Sequence, residues 1–321
     1  MARDFLLEIG TEEIPARFMS RALEQLREIA QKKLGEERLV FERVYACGTP
    51  RRLALYVEGL DESQQDLEEE IKGPPCRIAF DEDGNPTKAA KGFASGQGVS
   101  VESLITRDVD GTPYIFALQK TLGSPTADIL PGLAPEIIKS LTFPKSMRWG
   151  DTNVRFARPI RWIVCLYGTN VVEFEFAGVT SGRYTRGHRF LGEAGMELDS
   201  PGNYAESLKN LYVIVDQDKR RQLIWQQIEE LARQQGGKVR EDDDLLEEIN
   251  YLVEYPTALC GSFSKEYLEL PEEVLVKTMR EHQRYFPVYS VGSGMMPRFI
   301  AVRNGTSENI DIVCSGNEKV L

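Results

Sequence analysis

The chain has 321 residues, 41% of them apolar and 28% charged, with 50 acidic against 39 basic side chains and a net charge of −11. That composition supports packed cores in two or more modules. It excludes a disordered, collagen-like or coiled-coil chain and a wholly basic nucleic-acid coat. A local basic patch stays open, because patch and total charge are separate quantities.

In chain order, Phe5 to Gly10 reads as a short strand. Thr11 to Pro15 then opens a helix whose apolar face is Phe18, Ala22, Leu26, Ile29 and Leu34, with Gly35 as its expected stop. Val40–Cys47 and Arg52–Leu60 read as strands joined at Gly48-Thr49-Pro50. Asp61 to Glu70 is acidic and reads as a solvated linker or helix face, closed by the rigid Gly73-Pro74-Pro75. Ala79 to Pro86 is a turn; its three acids lack the spacing and terminal Glu of a calcium loop. Thr87 to Gly98 is expected to be a plain loop, since Gly96-x-Gly98 has neither a preceding strand nor a third glycine. Tyr114–Leu118 is a strand after the Asp110-Gly111 turn, and Ala127–Ser140 a helix despite Pro131 and Pro135.

Phe143 to Tyr167 interleaves Lys145, Arg148, Arg155, Arg158 and Arg161 with Phe143, Trp149, Phe156 and Trp162, and ends in an apolar strand from Trp162 to Leu166. From Gly168 the texture changes to short β-like runs, and Leu211–Val215 reads as a buried strand. Arg221–Gln235 is an amphipathic helix stopped by Gly236-Gly237. Further helices open at Asp242-Asp243-Asp244 and at Pro271-Glu272-Glu273, where acids suit the positive end of the helix dipole. Tyr285–Ser290 and Arg298–Val302 are closing strands. The expected fold is α+β and multi-module, with mixed and antiparallel sheets and packed helices. Its regions are 1–167 and 168–321.

Catalytic signals are sparse. His188 and His282 are the two histidines, neither near a Gly-x-Ser-x-Gly elbow, and there is no Walker A sequence. The five cysteines are scattered, with no C-x-x-C pair, so no metal site is expected and they read as small apolar residues in a reducing compartment. No signal-peptide h-region and no membrane-length apolar run is visible, so the expected location is cytoplasmic.

The basic stretch carries more. Lys139 to Arg189 holds nine Lys/Arg and three Asp/Glu, a local charge of about +6, whereas Phe190 to Leu270 holds eight against seventeen. Arginine grips phosphate through two parallel hydrogen bonds, and a neighbouring aromatic ring can stack on a base. Arginine beside tryptophan also occurs as cation–π packing within a protein, so both readings stand on composition alone.

Several stretches are also recognisable as they stand. Leu7-Glu8-Ile9-Gly10-Thr11-Glu12-Glu13-Ile14-Pro15, Gly48-Thr49-Pro50-Arg51-Arg52-Leu53-Ala54, Lys145-Ser146-Met147-Arg148-Trp149-Gly150, Thr185-Arg186-Gly187-His188-Arg189-Phe190 and His282-Gln283-Arg284-Tyr285-Phe286-Pro287 resemble, in order, the β subunit of the bacterial two-subunit glycyl-tRNA synthetase. The final Gly316 to Leu321 fits as well, while Arg161 stands where the family more often has His. The resemblance implies an α2β2 partner assembly and tRNA(Gly) as a partner, with no membrane. ATP and Mg are then used by the α-subunit active site, with no cofactor in this chain. It implies that the chain is an N-terminal portion of the subunit, inactive alone, whose second half is B3/B4-like. No catalytic residue is assigned. The candidate tRNA-binding residues are Arg148, Arg158, Arg183, Arg186 and Arg189. The alternatives are a pure assembly scaffold that touches only the α subunit, and an editing-like hydrolase using His188 or His282. Editing gains little when the cognate substrate is the smallest amino acid.

Overall fold

Successive side chains of a strand point to opposite faces, and in the first strand that alternation sets up both sides of the main sheet. The computed structural model describes residues 2–192, 195–292 and 294–321. In β1 (Arg3–Thr11), Phe5, Leu7 and Ile9 face one core, while Leu6 faces another on the same side as Glu8. Helix α1 (Ala16–Glu36) covers the first face. Strands β2 (Arg43–Thr49) and β3 (Arg52–Leu60) form the expected hairpin, with Thr49 opposite Arg52. Gly35 does not stop α1: the helix continues to Glu36 and the chain turns at Arg38, which takes φ 52°.

A small module follows. Strand β4 (Leu67–Pro75) pairs with β6 (Thr112–Thr121), which also pairs with β5 (Ile105–Val109). The acidic run is therefore partly strand rather than linker, and Gly73-Pro74-Pro75 is the end of an edge strand beyond a register shift, where prolines cost no ladder bonds. The one-turn helix α2 (Cys76–Ala79) and α3 (Lys88–Gly96) cover this sheet through Ala79, Ala90 and Ile115. The loop expected over 87–98 is thus mostly helix. Thr87 caps it by accepting from the Ala89 N–H, and Ala90 and Ala94 supply one buried stripe.

Helix α4 (Thr126–Ser140) returns to pack beside α1, with Leu130, Leu133, Ile137 and Ile138 in the same core. After an irregular segment, β7 (Ile160–Tyr167) pairs antiparallel with β1. Strands β8 (Asn170–Val171), β9 (Glu175–Phe176) and β10 (Val179–Gly182) extend the same sheet, whose order is β2-β3-β1-β7-β10-β9 with β8 also on β7. The expected division at 167/168 falls between β7 and β8, which are hydrogen-bonded neighbours. Strands β11 (Tyr184–Thr185) and β12 (Met196–Glu197) form a small ribbon, and α5 (Tyr204–Asn210) lies on the second face with Leu198, Val213 and Val215. Leu211–Val215 is no strand. Val213 and Val215 are buried by packing, and Ile214 makes a single backbone bond to Glu254.

The remainder forms a second layered unit. Helix α6 (Gln217–Gln234) is followed, after its cap Gln235, by Gly236, whose φ of 69° suits glycine. The strands are β13 (Gly237–Val239), β14 (Pro256–Ser262), β15 (Phe286–Ser290) and β16 (Met295–Asn304), in the order β13-β15-β16-β14. Helix α6 and α7 (Asp243–Asn250) pack on one face; α8 (Glu272–Lys277), its π-helical continuation Thr278–Gln283 and α9 (Ile310–Val320) flank the other. This is the α+β architecture expected. Among the described residues no helix is long and apolar enough to cross a membrane.

Two glycines give opposite expectations for this fold. A Cβ on Gly10 would sit 1.9 Å from the Trp162 ring, so Gly10→Ala should cost about 1–3 kcal/mol or more by overpacking. Gly92 lies inside α3 with open space around its Cβ position, so Gly92→Ala should gain about 0.5–1 kcal/mol. Urea unfolding of the two variants checks both signs.

Candidate functional site

The motif residues of β1, the β2–β3 hairpin and Thr185–His188 converge at one end of the main sheet, on the face opposite α1. Register places Gly10 between Arg52 on β3 and Trp162 on β7. Because Gly10 has no side chain, the indole lies across it and donates to Glu8 Oε1 at 2.5 Å. Three guanidinium groups surround that ring, from Arg51, Arg52 and Arg186, at 5.2–5.6 Å from its centroid. The negative face of the indole suits them.

Arg52 is fully buried. Its Nη1 reaches Glu8 at 3.4 Å and its Nη2 reaches Glu254 at 3.1 Å, so one guanidinium bridges the first strand to the segment just before β14. Thr49 donates to Glu254 and Thr185 donates to Glu8. Arg51 approaches the second Glu254 oxygen at 3.6 Å. Two carboxylates and two guanidinium groups leave the cluster formally neutral, the condition under which buried charge is tolerable. Burial by itself would lower the Arg52 pKa, but Glu254 and Glu8 outweigh it and raise it. Burial likewise pushes Glu254 up, and Arg52, the Thr49 hydrogen bond and Arg51 more than reverse that.

His188 sits at the edge of this cluster, buried. Its Nδ1 accepts from the Phe190 N–H at 3.3 Å, which puts the proton of the neutral ring on Nε2. Burial lowers its pKa, against the pull of Asn304 and Glu254. A second buried arginine, Arg220, has backbone carbonyls rather than carboxylates as partners. It donates to Asn250 at 3.0 Å, to Gly48 at 2.9 Å and to Ile214, and burial brings its pKa down to about 10. Together Arg52 and Arg220 fasten the second unit to the hairpin of the first.

The expected site arginines part company here. Arg186 and Arg189 are exposed and sit on the rim of this cluster. Arg186 stacks on Trp162, and Arg189 pairs with Glu12 at 2.8 Å, an acid that Arg161 also holds at 2.7 Å. Arg158 is half-buried near the same rim, since Glu12 N–H bonds the Pro159 carbonyl, and its Nη1 reaches the Ala157 carbonyl. Arg183 is elsewhere and occupied, donating to the Leu198 and Thr169 carbonyls. Arg148 lies exposed in the irregular segment and makes no ion pair among the described residues. Glu8, Arg51 and Arg52 stand inside sequence motifs that gave them no role, and Glu254 stands in none. The available signal was a lone acid amid Leu6, Leu7 and Ile9. His282, by contrast, is exposed on the π-helix. No metal-binding cluster occurs among the described residues, and Cys47 and Cys165 are buried thiols whose pKa burial raises.

Removing one partner of this network should be costly. Glu254→Gln leaves the second guanidinium contact unmatched and should lose about 3–5 kcal/mol in urea unfolding. Folded His188 binds its proton more weakly than the unfolded chain does, so stability should decline as pH falls below about 6.5. Glu254, with its lowered pKa, adds a second decline at pH below about 4.5. His188→Gln should flatten the first decline and keep the second, as read by unfolding across a pH series.

The model of the family described as glycyl-tRNA synthetase beta subunit matches residues 5–321. The glycine–tRNA ligase beta subunit of Moorella thermoacetica is 52% identical over 321 residues, all of this chain and 46% of the relative. That of Clostridioides difficile is 50% identical over the same span, again 46% of its length, and that of Halalkalibacterium halodurans 50% over 319 residues, 99% of this chain and 46% of the relative. The chain thus spans about half the length of the curated relatives it matches. With the family model matched from residue 5 to residue 321 and relatives about half identical over the whole chain, the chain belongs to the glycyl-tRNA synthetase beta subunit family.

Proposed function

We propose that this chain is the N-terminal part of a glycine–tRNA ligase β subunit, supporting tRNA binding and α-subunit assembly for ATP-dependent glycylation of tRNA(Gly). In this reading ATP and Mg belong to the α-subunit site, and this chain activates no glycine by itself. The observation that carries the reading is the rim of the buried cluster. Arg161, Arg186 and Arg189 stand exposed together on a scaffold fixed from beneath by Arg51 and Arg52. Guanidinium groups held in place lose less freedom when a phosphate arrives.

A second reading, the pure scaffold, draws on the pairing of Arg161 and Arg189 with Glu12 and of Arg189 with Glu13. Such pairs also suit an intersubunit surface. The salt dependence of tRNA affinity separates the two, measured on the assembled enzyme carrying single Arg→Ala changes.

Removing an arginine that meets a phosphate should flatten the slope of log affinity against log salt by about 0.7–0.9, equally for all tRNA sequences. Arg148, Arg186 and Arg189 are expected to do so, and Arg158 to a smaller degree because a carbonyl already engages it. Arg183→Ala should instead lower the melting temperature and leave the slope alone, since its partners are two backbone carbonyls. Wild-type slopes in all five variants, with the assembly intact, would leave the scaffold reading in place. Glycine-dependent ATP–pyrophosphate exchange by the purified chain without its α partner should stay at background.

A further inference from the structure

Phe190 is the most exposed of the large apolar side chains among the described residues, at 83%. The backbone that presents it is held from several directions. Arg52 donates to the Arg186 carbonyl at 2.8 Å and Arg51 to the Gly187 carbonyl at 3.3 Å. His188 N–H bonds the Leu211 carbonyl at 2.9 Å, and the Phe190 N–H bonds the His188 ring. Gly187 and His188 are buried, and the chain then turns out so that Arg189 and Phe190 are exposed. A benzyl group left in water forfeits about 2–3 kcal/mol of burial. Placing it on a braced turn is a different matter from leaving it on a loose one.

Leu122, Val291 and Ile312 are exposed to a similar degree, but they are aliphatic, and scattered single aliphatics need no explanation. Phe190 is aromatic and lies within four residues of Arg186 and beside Arg189, with Arg161 reaching the same Glu12. A flat ring whose neighbours in sequence, Arg186 and Arg189, carry exposed guanidinium groups suits a nucleotide, with the ring for the base and the cations for its phosphates. An apolar pocket on a protein partner would gain nothing from those charges and would have to desolvate them. Resting on the tRNA reading above, we infer that Phe190 is a stacking platform for an unpaired base of the bound RNA, with Arg186 and Arg189 on its flanking phosphates.

The test uses the assembled enzyme and an unmodified tRNA(Gly) transcript. Phe190→Ala should weaken binding about 5- to 150-fold, the range for one stacked base. It should leave the salt slope and the melting temperature at wild-type values, because every phosphate partner stays in place and the exposed ring packs on little. Phe190→Leu should be nearly as weak, since it keeps apolar bulk and loses the π face. Phe190→Trp should retain affinity, and its added fluorescence should be quenched by the RNA. Binding of Phe190→Ala within twofold of wild type, while Arg186→Ala or Arg189→Ala flattens the slope, overturns the stacking and spares the tRNA reading. Full rescue by Phe190→Leu, or loss of α–β assembly in Phe190→Ala with tRNA affinity of the remaining assembly unchanged, assigns the ring to a protein pocket instead. Wild-type slopes in every arginine variant, together with wild-type affinity in Phe190→Ala, overturn both.

Discussion

One guanidinium, that of Arg52, sits with no solvent contact between two carboxylates far apart in the chain, Glu8 and Glu254. A buried ion triad is a poor source of net stability, because desolvating three charges cancels most of their attraction. It is a strong source of specificity. Any arrangement of the two units that separates Glu254 from Arg52 leaves buried charge uncompensated, whereas an apolar contact tolerates sliding. Arg220 adds the same logic with carbonyls, since its backbone partners, Asn250, Ile214, Val215 and Gly48, lie in three different segments. The hairpin end at Gly48–Arg52 is therefore the point at which the two layered units are brought into register.

The same constraint shapes the surface. Arg51 and Arg52 spend part of their hydrogen-bonding capacity on the carbonyls of Gly187 and Arg186, so the charge network that joins the units also fixes the backbone of the exposed rim. Trp162 couples the layers further, with its N–H on Glu8 below and the Arg186 cation against its ring. A change in the buried part reaches the rim through two or three bonded groups. Contact chains of this kind are physical routes, and coupling along them has to be measured rather than assumed.

Much of the fold was legible in the chain. Apolar patterning marked β1, α1, the β2–β3 hairpin, α4, β7 and α6, because each buries a clear apolar face or run. The misses share a cause. Thr87–Gly98 hid a helix because three glycines masked a Thr cap and two alanines at helical spacing. Leu211–Val215 looked like a strand because it is apolar and buried, yet burial without a partner strand makes no ladder. The acidic run over 67–70 joined a small sheet through backbone pairing, which is blind to side-chain charge. For the site, composition located the arginines but could not sort them. Whether Arg183 faces carbonyls and Arg186 faces solvent is decided by strands and loops far away in sequence. Glu254 was illegible for the same reason, since nothing near it in sequence announces a partner at position 52.

Glu12 brings the surface and the interior into one account. Its carboxylate holds Arg161 and Arg189 together, and those contacts, the Arg161 hydrogen bond first, lower its pKa. Two cations so close would repel without it, and the rim would splay. With it, their heads are gathered yet still half in water. On the proposed reading an arriving phosphate competes with a carboxylate for donors already in position, so part of the ordering cost is met before binding. The competition also limits affinity, since Glu12 has to release one donor or share it. On that same proposed reading, a rim of this design favours reversible binding of a polyanion over permanent capture.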